Sequence, residues 1–211
     1  MKVSVMRTSG AGRAILVAAA CFILSGCGFS RTTPFSVVAP EIDLQAVIQQ
    51  DAPVDWAIAV RRPVTDRTRD SEQILVRSDG FRLLPYPGAV WLDAAPDLLR
   101  ALMIQALQTS GGFAAVDRVG RGGEFFVLET ELLRFEAVDE GAGDLVVELE
   151  LRASLINPRG GALIDAETFN VRQASADSSL NGLIPAFESA LTDLVVELGR
   201  WTVSTDAQDP L

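Results

Sequence analysis

One segment, from Leu145 to Leu155, constrains the fold more than any other. Apolar residues alternate along it with polar ones: Leu145, Val147, Leu149, Leu151, Ala153 and Leu155 against Glu148, Glu150, Arg152 and Ser154. Side chains of a β-strand point alternately to the two faces of a sheet, so this pattern predicts a strand with one buried and one solvated face. The fold therefore contains a sheet that is covered on one side.

Neighbouring segments extend this sheet. Apolar residues dominate Phe125 to Phe135, and a further strand is predicted at about Ala162 to Gln173. Short glycine-containing turns separate the three segments, which predicts an antiparallel meander. Earlier strands are expected near Phe35 to Val38, at about Val54 to Arg61 and at Gln73 to Arg77, with a polar stretch from Thr65 to Glu72 between the last two.

Two segments predict amphipathic helices, because their apolar residues recur every three or four positions. The first runs from about Ala95 to Thr109, with Asp93 as its cap, and the second begins near Asn181 with Pro185 in its first turn. Their apolar stripes are Leu98, Leu99, Leu102, Met103, Ala106 and Leu107, and Phe187, Leu191, Leu194, Leu198 and Trp201.

Between the strands and the first helix, Leu84-Pro85-Tyr86-Pro87-Gly88 is expected to form an irregular loop that ends at Trp91. The predicted fold is a single α+β domain. It has a mainly antiparallel sheet with a long three-strand meander, and both helices pack on one face of that sheet.

The amino terminus has the pattern of a secretion signal: three basic residues, Lys2, Arg7 and Arg13, precede the apolar run from Ala14 to Leu24. As a helix this run would rise only about 16 Å, too little for the roughly 30 Å hydrocarbon core of a bilayer. The run ends in Leu24-Ser25-Gly26-Cys27, which resembles the lipobox of bacterial lipoproteins.

That resemblance implies lipid attachment at Cys27, with a diacylglyceryl group on sulfur and an acyl group on nitrogen. Leu24, Ser25 and Gly26 would then be the residues that the signal peptidase recognises. The alternative is an ordinary secretory signal with a chance cysteine, or a buried free thiol. Gly28, where an Asp is absent, favours the outer membrane by resemblance to enterobacterial lipoproteins.

These observations divide the chain into four parts. Residues 1–26 are a signal peptide, residues 27–51 are the lipidated N-terminus and tether with an early strand, residues 52–203 are the α+β domain, and residues 204–211 are a disordered acidic tail.

Charge and composition exclude several functions. The chain has 18 Lys and Arg against 28 Asp and Glu; removal of the signal takes away three bases, which leaves 15 and a net charge of −13. A nucleic acid would be repelled by such a surface. The chain has no histidine, the commonest general base and metal ligand. We therefore expect no enzyme activity, no catalytic residue, no metal and no cofactor apart from the lipid on Cys27.

Two carboxylate pairs, Glu129 with Glu131 and Glu148 with Glu150, raise the alternative of an envelope hydrolase, but solvated strand positions explain them more simply. Tyr86 and Trp91 are the residues considered for a partner interface, because aromatic side chains on loops serve interfaces. The alternative for both is a staple onto the core.

The succession of motifs resembles the ABC-type transport auxiliary lipoproteins, which include the lipoprotein partner of the paraquat-inducible MCE transport system. The residues that carry the resemblance are Ile74-Leu75-Val76-Arg77, the Leu-Pro-Tyr loop, Trp91, the helix ending before Gly111-Gly112-Phe113, and Ala186-Phe187 and Ala190-Leu191 ahead of Trp201. One departure is Phe35-Ser36-Val37-Val38, where members often have a Tyr-Tyr-x-Leu strand.

The resemblance implies a non-catalytic scaffold that faces the periplasm from the outer membrane. It would assemble with an MCE-domain protein and an ABC permease and ATPase to move phospholipid or another hydrophobic substrate. Some members form rings, so a homo-oligomer is allowed. The alternative function is an outer-membrane assembly lipoprotein that chaperones a β-barrel or a lipopolysaccharide translocation pore.

Overall fold

The computed structural model describes residues 35–47, 53–120, 125–141 and 143–205. Within these ranges the chain forms eight strands and two helices. The strands are β1 (Ser36–Val38), β2 (Ala57–Val60), β3 (Gln73–Ser78), β4 (Arg82–Trp91), β5 (Ala115–Asp117), β6 (Phe125–Asp139), β7 (Leu145–Ile156) and β8 (Leu163–Ala174), and the helices are α1 (Ala95–Ser110) and α2 (Leu180–Ser204). Neither helix of the described part has the length and apolarity that a membrane span needs.

The long strand β6 organises the sheet. One edge of β6 pairs antiparallel with β7, and β7 pairs antiparallel with β8, as the meander prediction requires. The other edge pairs in parallel first with β2 and then with β3. Beyond these, β4 runs antiparallel to β3, β1 runs parallel to β4, and β5 runs parallel to β2.

The prediction of a mainly antiparallel sheet is therefore wrong. Four of the seven strand pairs in the described residues are parallel, and the sheet is mixed. The reason is the length of β6: its 15 residues are enough to pair with two short strands placed end to end along one edge. Both short strands run in the same direction as β6, because the chain continues along this edge from β2 through a bridge of Val64 with Glu131 to β3. The segment that contains α1 then returns the chain to the start of β6.

A β-bulge in β6 explains why its apolar residues dominate without a clean alternation. The register with β7 shifts between Leu132 and Arg134, so that the intervening residue has no direct partner. Leu132 lies opposite Leu151 in the core, and after the bulge Phe135 lies opposite Leu149, also in the core. An extra residue moves every later side chain to the other face, so the strand alternates correctly on each side of the bulge.

The prediction that Pro85 and Pro87 prevent regular structure is also wrong, since β4 runs through both. The register with β3 jumps from Leu75↔Pro85 to Gln73↔Val90, so β4 has three extra residues in that interval. Gly88 takes a positive φ of 76° there, which glycine adopts at little cost. Pro87 is tolerated because it lies in this bulged interval, whereas Pro85 marks where the regular register with Leu75 resumes.

The helices lie close to their predicted positions. No side chain caps α1, and Asp93 instead accepts a hydrogen bond from the neighbouring Ala94 N–H at 2.8 Å. Ser179 caps α2 by accepting from the Gly182 N–H at 3.2 Å. Pro185 lies inside α2, beyond the predicted first turn. Both helices contribute to a single hydrophobic core with one face of the sheet, the core face.

Candidate docking surface

The residues predicted for lipid attachment and signal cleavage, Cys27 with Leu24, Ser25 and Gly26, lie outside the described residues. Their roles stay predictions from the sequence. The described chain begins at Phe35, so seven residues separate it from Cys27.

The solvated face predicted from the alternation of β7, called here the outer face, carries the carboxylate pairs. Glu131 pairs with Arg152 at 3.0 Å, and Arg134 bridges Glu148 at 2.7 Å and Glu150 at 3.0 Å. Glu131, Glu148 and Glu150 therefore act in cross-strand ion pairs between β6 and β7, and Glu129 is an exposed neighbour of Glu131 on the same face.

A second charged cluster on the outer face is buried, and sequence reasoning missed it. Glu136 on β6 is 0% exposed and accepts hydrogen bonds from Arg69, at 2.7 and 2.9 Å, and from Arg77. Burial opposes ionisation, but the two guanidinium groups and the Phe135 N–H outweigh it and hold the pKa of Glu136 below its ordinary value. Asp66 also contacts Arg69. Glu136 on β6 thus binds one arginine from the segment between β2 and β3 and one from β3.

No signal in the sequence marks this cluster as a unit. Arg69 lies in the polar stretch between β2 and β3, and that stretch is typical of a solvated loop. Only the parallel pairing of β3 with β6, which aligns Leu75 with Glu136, brings the two regions together. The bulge in β6 then turns Glu136 to the outer face, where the arginines lie.

Another ionic contact joins the connection between β2 and β3, residues 61–72, to α1. Arg62 donates to Asp97 at 2.9 Å and to Asp70 at 2.6 Å, and Asp97 also accepts from Arg100 at 3.2 Å. The hydrogen bond to Asp70 is the main cause of a raised pKa at Arg62 and of a lowered pKa at Asp70. Residues 61–72 are thus held against both the sheet and the first helix.

Next to this connection the outer face has an open groove of 560 Å³. Val64 lies in its wall with 70% of its surface exposed, although its backbone is fixed by hydrogen bonds to Thr130 and Leu132 at 2.9 and 2.8 Å. An exposed apolar side chain on a rigid backbone, surrounded by charges, suits contact with a protein. The lining also includes Arg61, Arg62, Glu129, Glu131, Arg152 and Ser154.

The two aromatic residues considered for an interface occupy different places. Trp91 is 0% exposed and packs edge-to-face on Phe135 and Phe187, at ring-centroid distances of 5.8 and 5.0 Å. It has no surface to offer to a partner, and its role is the alternative one, a staple in the core. Tyr86 is partly buried, and its hydroxyl donates to the Ser178 carbonyl at 3.1 Å. An interface role for Tyr86 stays a prediction.

No group of three or more potential metal ligands occurs among the residues that the structure describes. The fold and its surfaces define a two-layer α+β domain, with helices on one sheet face and ion pairs and a groove on the other.

The family model of the ABC-type transport auxiliary lipoprotein component matches residues 40–199. The chain belongs to this family. It is accordingly a membrane-anchored lipoprotein that serves as an auxiliary component of ABC-type transport.

Solved structures agree with this assignment. Protein XCC0632 from Xanthomonas campestris, a member of the family DUF330, is 31% identical, covers 82% of this chain and 98% of its own, and superposes with a TM-score of 0.76. An uncharacterized protein at 11% identity has the same fold, with a TM-score of 0.61 over 80% of this chain and 99% of its own. No match was found among curated proteins.

Proposed function

We propose that this chain is a docking subunit, anchored in the outer membrane and facing the periplasm, of an ABC transporter that moves phospholipid or another hydrophobic substrate. The observation that carries the proposal is the family match over residues 40–199, which associates the chain with ABC-type transport. The outer membrane, the lipid cargo and an MCE-domain partner are the finer parts of the proposal. They follow from the resemblance to the paraquat-inducible system and from Gly28 after the lipidated cysteine.

The anchor of this subunit is Cys27. Two or three acyl chains on one residue hold a protein at a bilayer effectively permanently, because each buried methylene contributes about 0.8 kcal/mol. The domain then works at a fixed surface and needs affinity only for its protein partners. A non-catalytic role fits the outer face, where arginines engage Glu131, Glu148 and Glu150.

The partner docks, in this proposal, in the groove beside Val64. The core face of the sheet is occupied by α1 and α2, whereas no helix of the described chain lies on the outer face. The groove combines Val64 with exposed ion pairs such as Arg152–Glu131. An apolar centre with a charged rim is the usual composition of a protein interface that forms and dissociates.

The test is purification of the tagged, acylated protein from solubilised membranes after crosslinking. The MCE-domain protein, the permease and the ATPase should copurify. Val64→Asp should lower their recovery roughly tenfold, since loss of an interface hot spot costs at least about 1.4 kcal/mol. The matched control is Leu163→Asp on β8, a residue 60% exposed that lies outside the groove, and it should leave recovery unchanged.

Recovery of a β-barrel or a lipopolysaccharide pore in place of these proteins would favour the assembly-lipoprotein alternative. Equal recovery with the Val64 and Leu163 variants would remove the groove from the proposal and leave the rest standing.

A further inference from the structure

An apolar patch surrounds the point where the chain enters the described domain. Phe35, Val37 and Leu92 are 65%, 63% and 64% exposed. Val37 pairs in register with Val90, and the Leu92 N–H donates to the Val38 carbonyl at 2.7 Å, so β1 and the end of β4 hold these residues side by side. We call Phe35, Val37, Val90 and Leu92 the entry patch.

The four side chains share the outer face of the sheet. Val38 and Trp91, which pair with each other, point into the core. Because side chains alternate along a strand, Val37 and Val90 point the opposite way. Phe35 directly precedes β1 and Leu92 directly follows β4, and both are exposed beside this pair. The entry patch is thus a surface built on two paired strands, and its backbone is held by the ladder between β1 and β4.

The tether determines what lies near this patch. Only seven residues, 28–34, separate Phe35 from Cys27, so a fully extended tether reaches at most about 28 Å. The lipid on Cys27 therefore keeps Phe35, itself a member of the patch, within that distance of the bilayer surface. A short link of this kind gives the second contact a high effective concentration, so even weak apolar contacts are populated.

We infer that the entry patch lies in the membrane interface, as a second contact with the bilayer beside the lipid on Cys27. The inference rests on the proposed lipidation of Cys27. Aromatic and aliphatic side chains that lie at a bilayer surface are buried about 5–10 Å into the boundary between headgroups and acyl chains. Asp93 follows Leu92 and is exposed, which limits the depth and keeps this carboxylate at the headgroups.

Apolar burial and not charge attraction supplies the contact. The mature chain has a net charge of −13 and no lysine, and Arg31 is the only charged residue among residues 28–34. Anionic lipids should therefore not strengthen the contact. The consequence is an orientation: the entry patch faces the membrane, and β1 is the strand nearest to it.

The test places a single reactive thiol on the acylated protein in vesicles of zwitterionic lipid. Cys21 leaves with the signal and the Cys27 thiol is blocked by the lipid, so an introduced cysteine is the only free one. Val37→Cys and Leu92→Cys are labelled with an environment-sensitive dye. The matched controls are Phe81→Cys and Leu163→Cys, at residues 76% and 60% exposed, the first at the opposite end of β4.

Dyes on the entry patch should be quenched by nitroxides placed on the lipids and protected from aqueous iodide, whereas dyes on the controls should show the reverse. Replacing about a third of the zwitterionic lipid by an anionic one should not increase the quenching of the patch dyes by lipid nitroxides. Because Val37 lies in β1 and Leu92 directly follows β4, misfolding of one variant leaves the other as a test.

Three results would overturn the inference. Quenching of the patch dyes by iodide to the same extent as the control dyes would put the patch in water. Protection from iodide without quenching by lipid nitroxides would mean that protein covers the patch, either a second copy or a transport partner. Absence of labelled palmitate on Cys27 would overturn the anchor itself, and the first two results obtained with palmitate present would overturn the patch alone.

Discussion

Arg69 and Glu136 form a buried bidentate ion pair, with nitrogen–oxygen distances of 2.7 and 2.9 Å, between the connection after β2 and the central strand β6. Arg77 on β3 contacts the same carboxylate. Glu136 therefore holds together three segments that are far apart in the sequence, and its removal should affect the whole sheet.

Glu136→Gln should lower the free energy of unfolding by about 3 kcal/mol, because it leaves the largely buried Arg77 without a carboxylate and Arg69 with Asp66 alone. Urea denaturation monitored by tryptophan fluorescence measures the change. The control is Glu150→Gln, whose partner Arg134 is 44% exposed at its side chain and whose loss should cost less than about 1 kcal/mol. Equal losses in the two variants would contradict a special role for the buried pair.

The stability of the protein should fall in acid in a way that depends on Glu136. Despite its burial, hydrogen bonds from Arg69 and Arg77 hold the pKa of Glu136 below its ordinary value of 4.5. A group whose pKa is lower in the folded state than in the unfolded state stabilises the fold at pH values above its unfolded pKa. This contribution of Glu136 is lost as the pH falls below 4.5 and through the pKa of the folded state. Urea midpoints measured across this range should fall more steeply for the wild type than for Glu136→Gln. Parallel curves would show that other carboxylates cause the loss.

Trp91→Ala should destabilise the protein by about 3–5 kcal/mol, because it opens a cavity between Phe135 and Phe187. Trp91→Phe should cost less than Trp91→Ala, since it keeps most of the packing and removes an indole N–H that has no hydrogen-bond partner in the described structure. Thermal unfolding compares them. Tyr86→Phe, which loses one hydrogen bond, should cost about 1 kcal/mol or less. A loss of stability in Trp91→Ala well below this range would contradict a core role for Trp91.

Gly120→Ala should be more harmful than Gly111→Ala, although both glycines have a φ near 63°. A Cβ on Gly120 would lie 2.7 Å from the Cβ of Ala59, whereas a Cβ on Gly111 would meet nothing within 4 Å. Gly111→Ala therefore bears only the backbone cost of about 1–2 kcal/mol, and Gly120→Ala adds a steric clash with β2. Urea denaturation of the two variants tests the difference, and equal stabilities would refute the close approach.

Cys27→Ala should abolish labelling by palmitate and move the protein from the membrane to the soluble fraction, because the acyl chains supply the anchor. Metabolic labelling and fractionation measure both effects. The control is Cys21→Ala within the apolar run, which should mature and fractionate like the wild type. If Cys27→Ala stays in the membrane fraction, the proposed anchor is wrong.

Local periodicity predicted the elements well. The alternation along β7 extends over the strand that the structure shows, and α1 begins at the predicted Ala95. A strand buries every second side chain and a helix every third or fourth, and this pattern is contained in the segment itself. It can therefore be recognised without knowing which elements the segment packs against. The residues that resemble the auxiliary lipoproteins were also sufficient to recognise the family that the comparison shows.

Periodicity failed where partners matter. The two prolines of β4 disfavour a strand locally, yet Pro85 is aligned with Leu75 of β3 and a bulge of three residues accommodates Pro87. The polar stretch that holds Arg69 has the composition of a free loop, yet it covers Glu136. The groove beside Val64 exists only because this stretch lies along β6, so no motif in the sequence could mark it.

The sequence by itself determined both helices, the strands other than β4 and β5, the acidic surface and the family of the protein. The tertiary structure alone decided that β2 and β3 run parallel to β6, that Trp91 is in the core, and that Glu136 meets two arginines. The physical reason is the range of the interactions. Side-chain periodicity is set by residues two to four positions apart, whereas the pairing of β2 and β3 with β6 and the ion pairs of Glu136 join residues more than fifty positions apart.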